Sequence, residues 1–190
     1  MWLCSIIWFK NMHNNRPITI LGINPGARYL GIAIFRGAEL YDWNVKVIKG
    51  EWSKEKMEKI KDIVAGLIEQ YQPDVLAIKK LHPARSSNNL DKLVEELKHL
   101  AEIKKLPIYE YPIKYVEAFL SPAKKINKLK LAALLVERYS ALFSEWEKEK
   151  MSKNRYYMRM FEAVLVAYVC FRQLDRRTDD TPRTSSLATG

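Results

Sequence analysis

The sequence predicts an α/β domain built on one mixed sheet, and three observations carry that reading. Two apolar runs rich in β-branched residues, Ile18–Ile23 and Tyr29–Phe35, flank a polar turn at Pro25 and Gly26. This is the pattern of two buried strands joined as a hairpin. A short continuous apolar run, Val75-Leu76-Ala77-Ile78, sits between two stretches of helical apolar spacing, as a buried central strand does. The chain has 190 residues and 48% hydrophobic composition, enough for one well-cored domain and too few for two comfortable ones.

The elements follow in order. Glu39–Ile48 alternates as the third strand of an antiparallel meander, with Leu40, Val45 and Val47 as its apolar members and Gly37 and Gly50 as its bounds. Ser53 caps a helix to Tyr71 whose apolar residues Met57, Ile60, Val64, Leu67 and Ile68 share one face, and Pro73 ends it. The strand at 75–78 then delivers Lys79 and Lys80 at its end. Asn88, with Asp91 three residues on, caps a second helix to Ile103, striped by Leu90, Leu93, Val94, Leu97, Leu100 and Ala101. Pro107 opens a fifth strand, Ile108–Tyr111.

Beyond it, Leu131–Phe143 reads as a helix, Ser144–Arg155 as an exposed helix end and loop, and Tyr156–Arg172 as a buried helix, apolar nearly all round. Three strands, a helix, a strand, a helix and a strand give a sheet flanked by helices. The expected division is an N-terminal extension over 1–15, a folded domain over 16–173 and a disordered polar tail over 174–190.

Charge narrows the partners. Lys and Arg number 32 against 22 acids, a formal charge of +10, which favours polyanions, nucleic acid being the commonest. General solubility is the bland reading of the same balance. Cys4 and Cys170 have no metal-ligand spacing and no disulfide framework, and read as thiols in a reducing compartment. The apolar stretch Met1–Phe9 is too short to span a bilayer and lacks the basic leader and cleavage site of a secretory signal. A cytoplasmic protein without membrane partners is expected. His13, His82 and His99 have no zinc-like spacing, and no phosphate-binding glycine loop is present.

Asn24 closes the first strand. Its Asn-Pro-Gly sequence is an ordinary turn, and it equally presents a polar group at a strand end, where a rigid scaffold holds a reacting residue. The segment Leu-Gly-Ile-Asn-Pro-Gly-Ala-Arg-Tyr-Leu-Gly resembles the opening of the RuvC-like Holliday junction resolvases, nucleases of the ribonuclease H-like superfamily, whose first strand ends in Asp-Pro-Gly. Leu106-Pro-Ile-Tyr-Glu-Tyr-Pro-Ile-Lys-Tyr-Val resembles the family's stretch from its fifth strand into the next helix. The resemblance implies a ribonuclease H-like fold: a mixed five-stranded sheet, three antiparallel strands then parallel ones, with helices on both faces.

It also implies a set of site positions. Such nucleases gather four carboxylates around two divalent metal ions, because hard cations take oxygen ligands and need negative charge to sit together. Carried over residue by residue, the first-strand position is Asn24, the fourth-strand position is Lys79, and Glu162-Ala163-Val164-Leu165 matches the last-helix motif, with Arg159 three residues earlier. Glu162 is the one surviving carboxylate, and two of the three replacements are cationic. Neither lysine nor arginine ligates magnesium or manganese, so two-metal hydrolysis is expected to be disabled and no cofactor is expected. In its place Lys79 or Arg159 is expected to pair with Glu162.

Arg28, Lys79, Lys80, Arg85, Lys124, Lys125, Lys128 and Lys130 lie on or near the loops that the resemblance places around a cleft. Such residues give sequence-independent, salt-sensitive phosphate binding. A solvated helix start is the other reading of the lysine cluster. Tyr111 and Tyr115 read either as base-stacking rings or as core. The resemblance extends to dimerisation, with helix 88–103 as the candidate interface, although its apolar stripe also suits packing on its own sheet. The expected function is a catalytically degenerate RuvC-like protein binding nucleic acid, branched DNA among the candidates, through a basic cleft without two-metal cleavage. The alternatives are a metal-dependent nuclease rebuilt on Glu162, Asn24 and an unrecognised ligand, and a protein-interaction module retaining only the fold.

Overall fold

The computed structural model describes residues 16–123, 126–152 and 156–179, without the side chains of Arg85 and residues 177–179. Five strands form one sheet: β1 (Thr19–Asn24), β2 (Tyr29–Arg36), β3 (Glu39–Val47), β4 (Val75–Lys80) and β5 (Ile108–Pro112). Their spatial order is β3-β2-β1-β4-β5. β1 pairs antiparallel with β2, and β2 with β3, whereas β4 lies parallel to β1 and β5 parallel to β4. The expected mixed sheet is therefore present. Ile23 stands beside Ile78 in register, which brings Asn24 and Lys79 side by side at the carboxyl ends of β1 and β4.

The strand period of two decides what faces what. Leu21, Ile23, Ile32, Ile34, Leu76 and Ile78 point to one face and pack with α1 (Lys54–Tyr71) and α2 (Asn88–Ile103). Ile20, Ala33, Phe35, Val75 and Ala77 point to the other. That second face is covered by α3 (Ile113–Leu120), α4 (Lys128–Arg138), α5 (Phe143–Met151) and α6 (Met158–Asp179). Helices thus lie on both faces. By the same alternation Asn24 and Lys79 face α6. Among the described residues no helix is long and apolar enough to cross a membrane.

Local chemistry explains most boundaries. Ser53 caps α1, its hydroxyl accepting the Lys56 N–H at 3.2 Å. The cap of α2 is Ser87 and not Asn88: its hydroxyl accepts the Leu90 N–H at 3.3 Å, while Asp91 accepts from the Ser86 hydroxyl at 2.5 Å. The expected helix over 131–143 is instead two helices separated by a 3₁₀ turn at Ser140–Leu142. Tyr139 leaves the helical region at φ −124°, ψ 84°, and its hydroxyl donates to the Ala38 carbonyl at 3.0 Å while its ring meets Phe35 edge-on. Tertiary contact overrides periodicity there.

The last helix continues to Asp179, beyond the boundary expected at residue 173. Leu174 packs on the core and Arg176 lies over the Phe119 ring, so this polar stretch has surface to grip. The expected extension over 1–15 and the remainder of the tail, 180–190, fall outside the described residues.

Two glycines set how closely α6 approaches the sheet. A Cβ on Gly22 would fall 2.5 Å from the Ala163 carbonyl oxygen and 2.7 Å from the Ala167 Cβ. One on Gly31 would fall 1.9 Å from the Arg159 carbonyl oxygen. Helix backbone lies directly on strand backbone, a contact open only to glycine. At the opposite end of the sheet, buried Asp74 accepts the Thr19 N–H at 2.8 Å and pairs with Arg16 at 2.7 Å. It ties the starts of β1 and β4 together.

Candidate functional site

The open ends of the two central parallel strands are where α/β sheets place ligand sites. Here β1 supplies Asn24, β4 supplies Lys79, α4 supplies its first residue Lys128, and α6 supplies Glu162. The Glu162 carboxylate, 2% exposed, is the centre. Lys79 Nζ lies 2.6 Å from Glu162 Oε2, and Lys128 Nζ pairs with Glu162 Oε1. Asn24 Nδ2 donates to Glu162 Oε2 at 2.7 Å and to the Arg159 carbonyl at 3.2 Å. Both partners of that amide are acceptors, which fixes its orientation, with nitrogen toward α6. Asn24 Oδ1 is buried without a hydrogen-bond partner among the described residues.

The pairing of Lys79 with Glu162 expected from the sequence is therefore present. Arg159 takes a different part: its backbone carbonyl accepts from Asn24, while its guanidinium lies toward the turn after β1, where a Cβ on Gly26 would stand 3.6 Å from its Nη1. Burial pushes the Glu162 carboxyl up, but the ammonium groups of Lys79 and Lys128 together outweigh it and hold the group below the usual carboxylate range. Burial is also the largest influence on Lys79, and with Lys128 and Arg159 nearby it keeps the amine below the usual lysine value despite Glu162. The cluster holds three cationic side chains against one carboxylate.

The remaining predicted binding residues divide. Lys80 follows Lys79 in β4 and so turns to the α1–α2 face, away from Glu162. Lys130 is exposed on α4, two positions past Lys128 and on another side of the helix. Arg28 is exposed and stacks on Tyr29, with the guanidinium carbon 5.4 Å from the ring centre. Arg85 lies in a 3₁₀ turn at Pro83–Arg85, where its side chain is not described, and Lys124 and Lys125 lie outside the described residues. Tyr111 is core: it is 4% exposed, and its hydroxyl donates to Gln173 Oε1 at 2.7 Å. Tyr115 is 41% exposed and continues an aromatic row from Tyr111 to Phe119.

In the sequence Lys128 is one member of a generic basic run. Its contact with a residue 34 positions away carries no local signal beyond its place at the start of a helix. Glu149 carries no sequence signal either: it lies in a stretch expected to be exposed, yet it is 3% exposed and accepts the Met158 N–H at 3.1 Å. There it serves the positive end of α6.

Do these residues suit divalent metals? Among the described residues no group of three or more histidine, cysteine or carboxylate side chains is arranged to hold an ion. Glu162 has both oxygens engaged by ammonium groups, and Asn24 turns its nitrogen, not its oxygen, toward it. Two hard cations require several oxygen donors at one place. This donor set does not fit them.

Sheet order, crossover pattern and the position of the site define an α/β domain of the ribonuclease H-like class. Comparison with known proteins refines that. The family profile described as "Crossover junction endodeoxyribonuclease RuvC" matches residues 20–149, and the chain belongs to the RuvC family. The RuvC of Hydrogenovibrio crunogenus is 33% identical over 99 residues, covering 48% of this chain and 58% of that protein. The RuvC of Vibrio parahaemolyticus is 33% identical over 106 residues, covering 52% and 61%. The chain thus matches less than two thirds of the length of these relatives.

Among solved structures, the yeast mitochondrial Holliday junction resolvase Ydc2 superposes with a TM-score of 0.66 at 14% identity, over 94% of this chain and 86% of that one. Thermus thermophilus RuvC gives 0.62 at 17% identity, over 85% and 97%. These establish the shared fold. The family match stops before α6, so the roles of Arg159 and Glu162 rest on the geometry above.

Proposed function

We propose that this chain is a RuvC family member that binds nucleic acid, branched DNA foremost, at the basic end of its sheet and does not cleave it by two-metal hydrolysis. One observation carries the reading: the single carboxylate at the site among the described residues is paired on its two oxygens with Lys79 and Lys128. Where catalysis would need negative charge to gather cations, the side chains supply positive charge. Lys79, Lys128 and Arg159 then act on phosphates directly, by charge-assisted hydrogen bonds. The Holliday junction complex of Thermus thermophilus RuvC shows that a related fold engages such a substrate.

A second reading has one observation in its favour. Asn24 Oδ1 is a buried oxygen without a partner among the described residues, a donor that a rebuilt nuclease site would use. One experiment separates the two. The chain is titrated against a labelled four-way junction, a duplex and an RNA hairpin with magnesium or manganese, and binding and product are scored together across salt. Tight, salt-sensitive binding with intact substrate supports the non-cleaving reading. Cleavage abolished by Glu162→Ala establishes the rebuilt enzyme. No binding leaves the protein-interaction module.

Dimerisation belongs to the same proposal in narrower form. The stripe of α2 is spent on its own sheet, with Leu93, Leu97 and Ala101 fully buried, so pairing through this helix uses its outward side near Ile103, which is 63% exposed. Sedimentation of wild type against Ile103→Glu tests it.

A further inference from the structure

We infer that the lysines around Glu162 form a seat for one phosphodiester group, in which two ammonium groups held by a shared carboxylate take the place of divalent metal ions. Glu162 is a positioning residue in this seat. The inference rests on the nucleic-acid reading above and specifies how that site works.

Three observations support it. First, the two ammonium groups converge on Glu162 from separate elements, β4 and α4, at the strand ends beside Asn24, and are not spread along one solvated helix face. Second, they are graded in access: the Lys79 side chain is 12% exposed and that of Lys128 28%. Lys79 is therefore fixed, while Lys128 opens to solvent at the mouth and bridges inward. Third, positive charge exceeds negative at a partly desolvated place, and an anion restores the balance. A phosphodiester carries one negative charge and two free oxygens, which suits two ammonium donors.

Glu162 keeps the seat working. Without its carboxylate Lys79 Nζ loses the partner that aims it, and burial with the neighbouring cations lowers an amine already below the usual lysine value still further, which weakens its hold on phosphate. The titratable and charged groups facing that amine are Glu162 and Arg159 from α6 and Lys128 from α4.

The consequence runs against simple charge counting. Glu162→Gln raises the net charge of the site by one, which a diffuse basic patch would convert into tighter binding. The seat predicts the reverse. Affinity for a labelled four-way junction, measured by fluorescence anisotropy on the full chain, falls roughly tenfold, the order expected when charge-assisted hydrogen bonds are lost. The loss deepens as pH rises from neutral, because Lys79 deprotonates earlier. Lys128→Gln, at the open rim, keeps the Lys79–Glu162 pair, weakens binding several-fold and lowers the salt slope by about one. Wild-type affinity is the same in EDTA as in magnesium at matched ionic strength.

Tighter binding by Glu162→Gln, an unchanged salt slope in Lys128→Gln, or a wild type that binds only with divalent metal would each overturn the seat while leaving nucleic-acid binding intact. A wild type that binds neither junction, duplex nor RNA hairpin in either condition removes the nucleic-acid reading and the seat with it. Circular dichroism of each variant establishes folding before binding is read, and the wild-type comparison in EDTA needs no variant at all.

Discussion

Replacing Glu162 by glutamine tests the energetics of the site directly. The carboxylate is 2% exposed and meets Lys79, 12% exposed, at 2.6 Å. Removing one partner of a buried pair costs about 3–5 kcal/mol, because the other charge is left without compensation. Lys128 is 28% exposed and can turn to water, so its share is that of a surface pair, about 0–1 kcal/mol. Glutamine also presents an NH₂ group where Asn24 Nδ2 and two ammonium groups already donate. We therefore expect Glu162→Gln to lose about 3 kcal/mol in urea denaturation at neutral pH, the low end of the buried-pair range.

Lys79→Met removes the ammonium that burial penalises and leaves Glu162 with Lys128 and Asn24, so its cost is smaller, about 1–2 kcal/mol. The double variant then loses less than the sum, with a coupling of about 1 kcal/mol or more. A Glu162→Gln protein within about 0.5 kcal/mol of wild type, or a strictly additive cycle, refutes the account of a coupled buried cluster.

Other expectations follow from the same structure. Gly31→Ala drives a methyl into the Arg159 carbonyl, where the ideal Cβ would lie 1.9 Å away, and should cost at least the 1–3 kcal/mol or so of overpacking in thermal melts. In acid, the Glu162 carboxyl, held below its ordinary value of 4.5, contributes stability that is full above that pH and fades as pH falls through the lower folded value; the wild-type acid limb should be steeper than that of Glu162→Gln. Asp74→Ala should cost about 1.5–3 kcal/mol through loss of charge-assisted bonds to Thr19 and Arg16. The Tyr71 hydroxyl donates to Asp42 at 2.5 Å and its ionisation is pushed up to about 12, so a phenolate step near that pH should vanish from ultraviolet titration in Tyr71→Phe.

Much of the sheet could be read in advance because its strands are marked by chemistry that does not depend on context. The β-branched runs around Pro25-Gly26 and the uninterrupted Val75–Ile78 announce burial, and the helices over 54–71 and 88–103 declare one apolar face each. The second half was less legible. Tyr139 breaks a helix whose periodicity continues through it, since its hydroxyl and ring find partners on the β2–β3 turn and on Phe35. Residues 174–179 look like a tail in composition, and contacts such as those of Leu174 and Arg176 hold the stretch against the fold.

For the site, Asn24, Lys79 and Glu162 could be found through a resemblance confined to short motifs. Lys128 was indistinguishable from its neighbours Lys124, Lys125 and Lys130, because what singles it out is the turn of α4 that aims it inward. Lys80 was grouped with Lys79, although one step along a strand reverses the face. Tyr111 shows the reverse limit: its ring suited base stacking in sequence, and the fold spends it on Gln173.

The absence of side chains at Gly22 and Gly31 has a consequence for how the charges of this site can vary. With α6 resting on bare strand backbone at Gly22 and Gly31, main-chain contact holds the helix at the distance across which Asn24 meets Glu162. Polarity at the end of the sheet is thus free to change by exchange of a few side-chain tips, while the frame that aims them stays put. Metal-binding and ammonium-bearing versions are on this view two fittings of one socket, reachable from each other without refolding. A chain carrying Asn24→Asp, Lys79→Glu and Arg159→Asp together would show whether the socket accepts a metal-binding fitting.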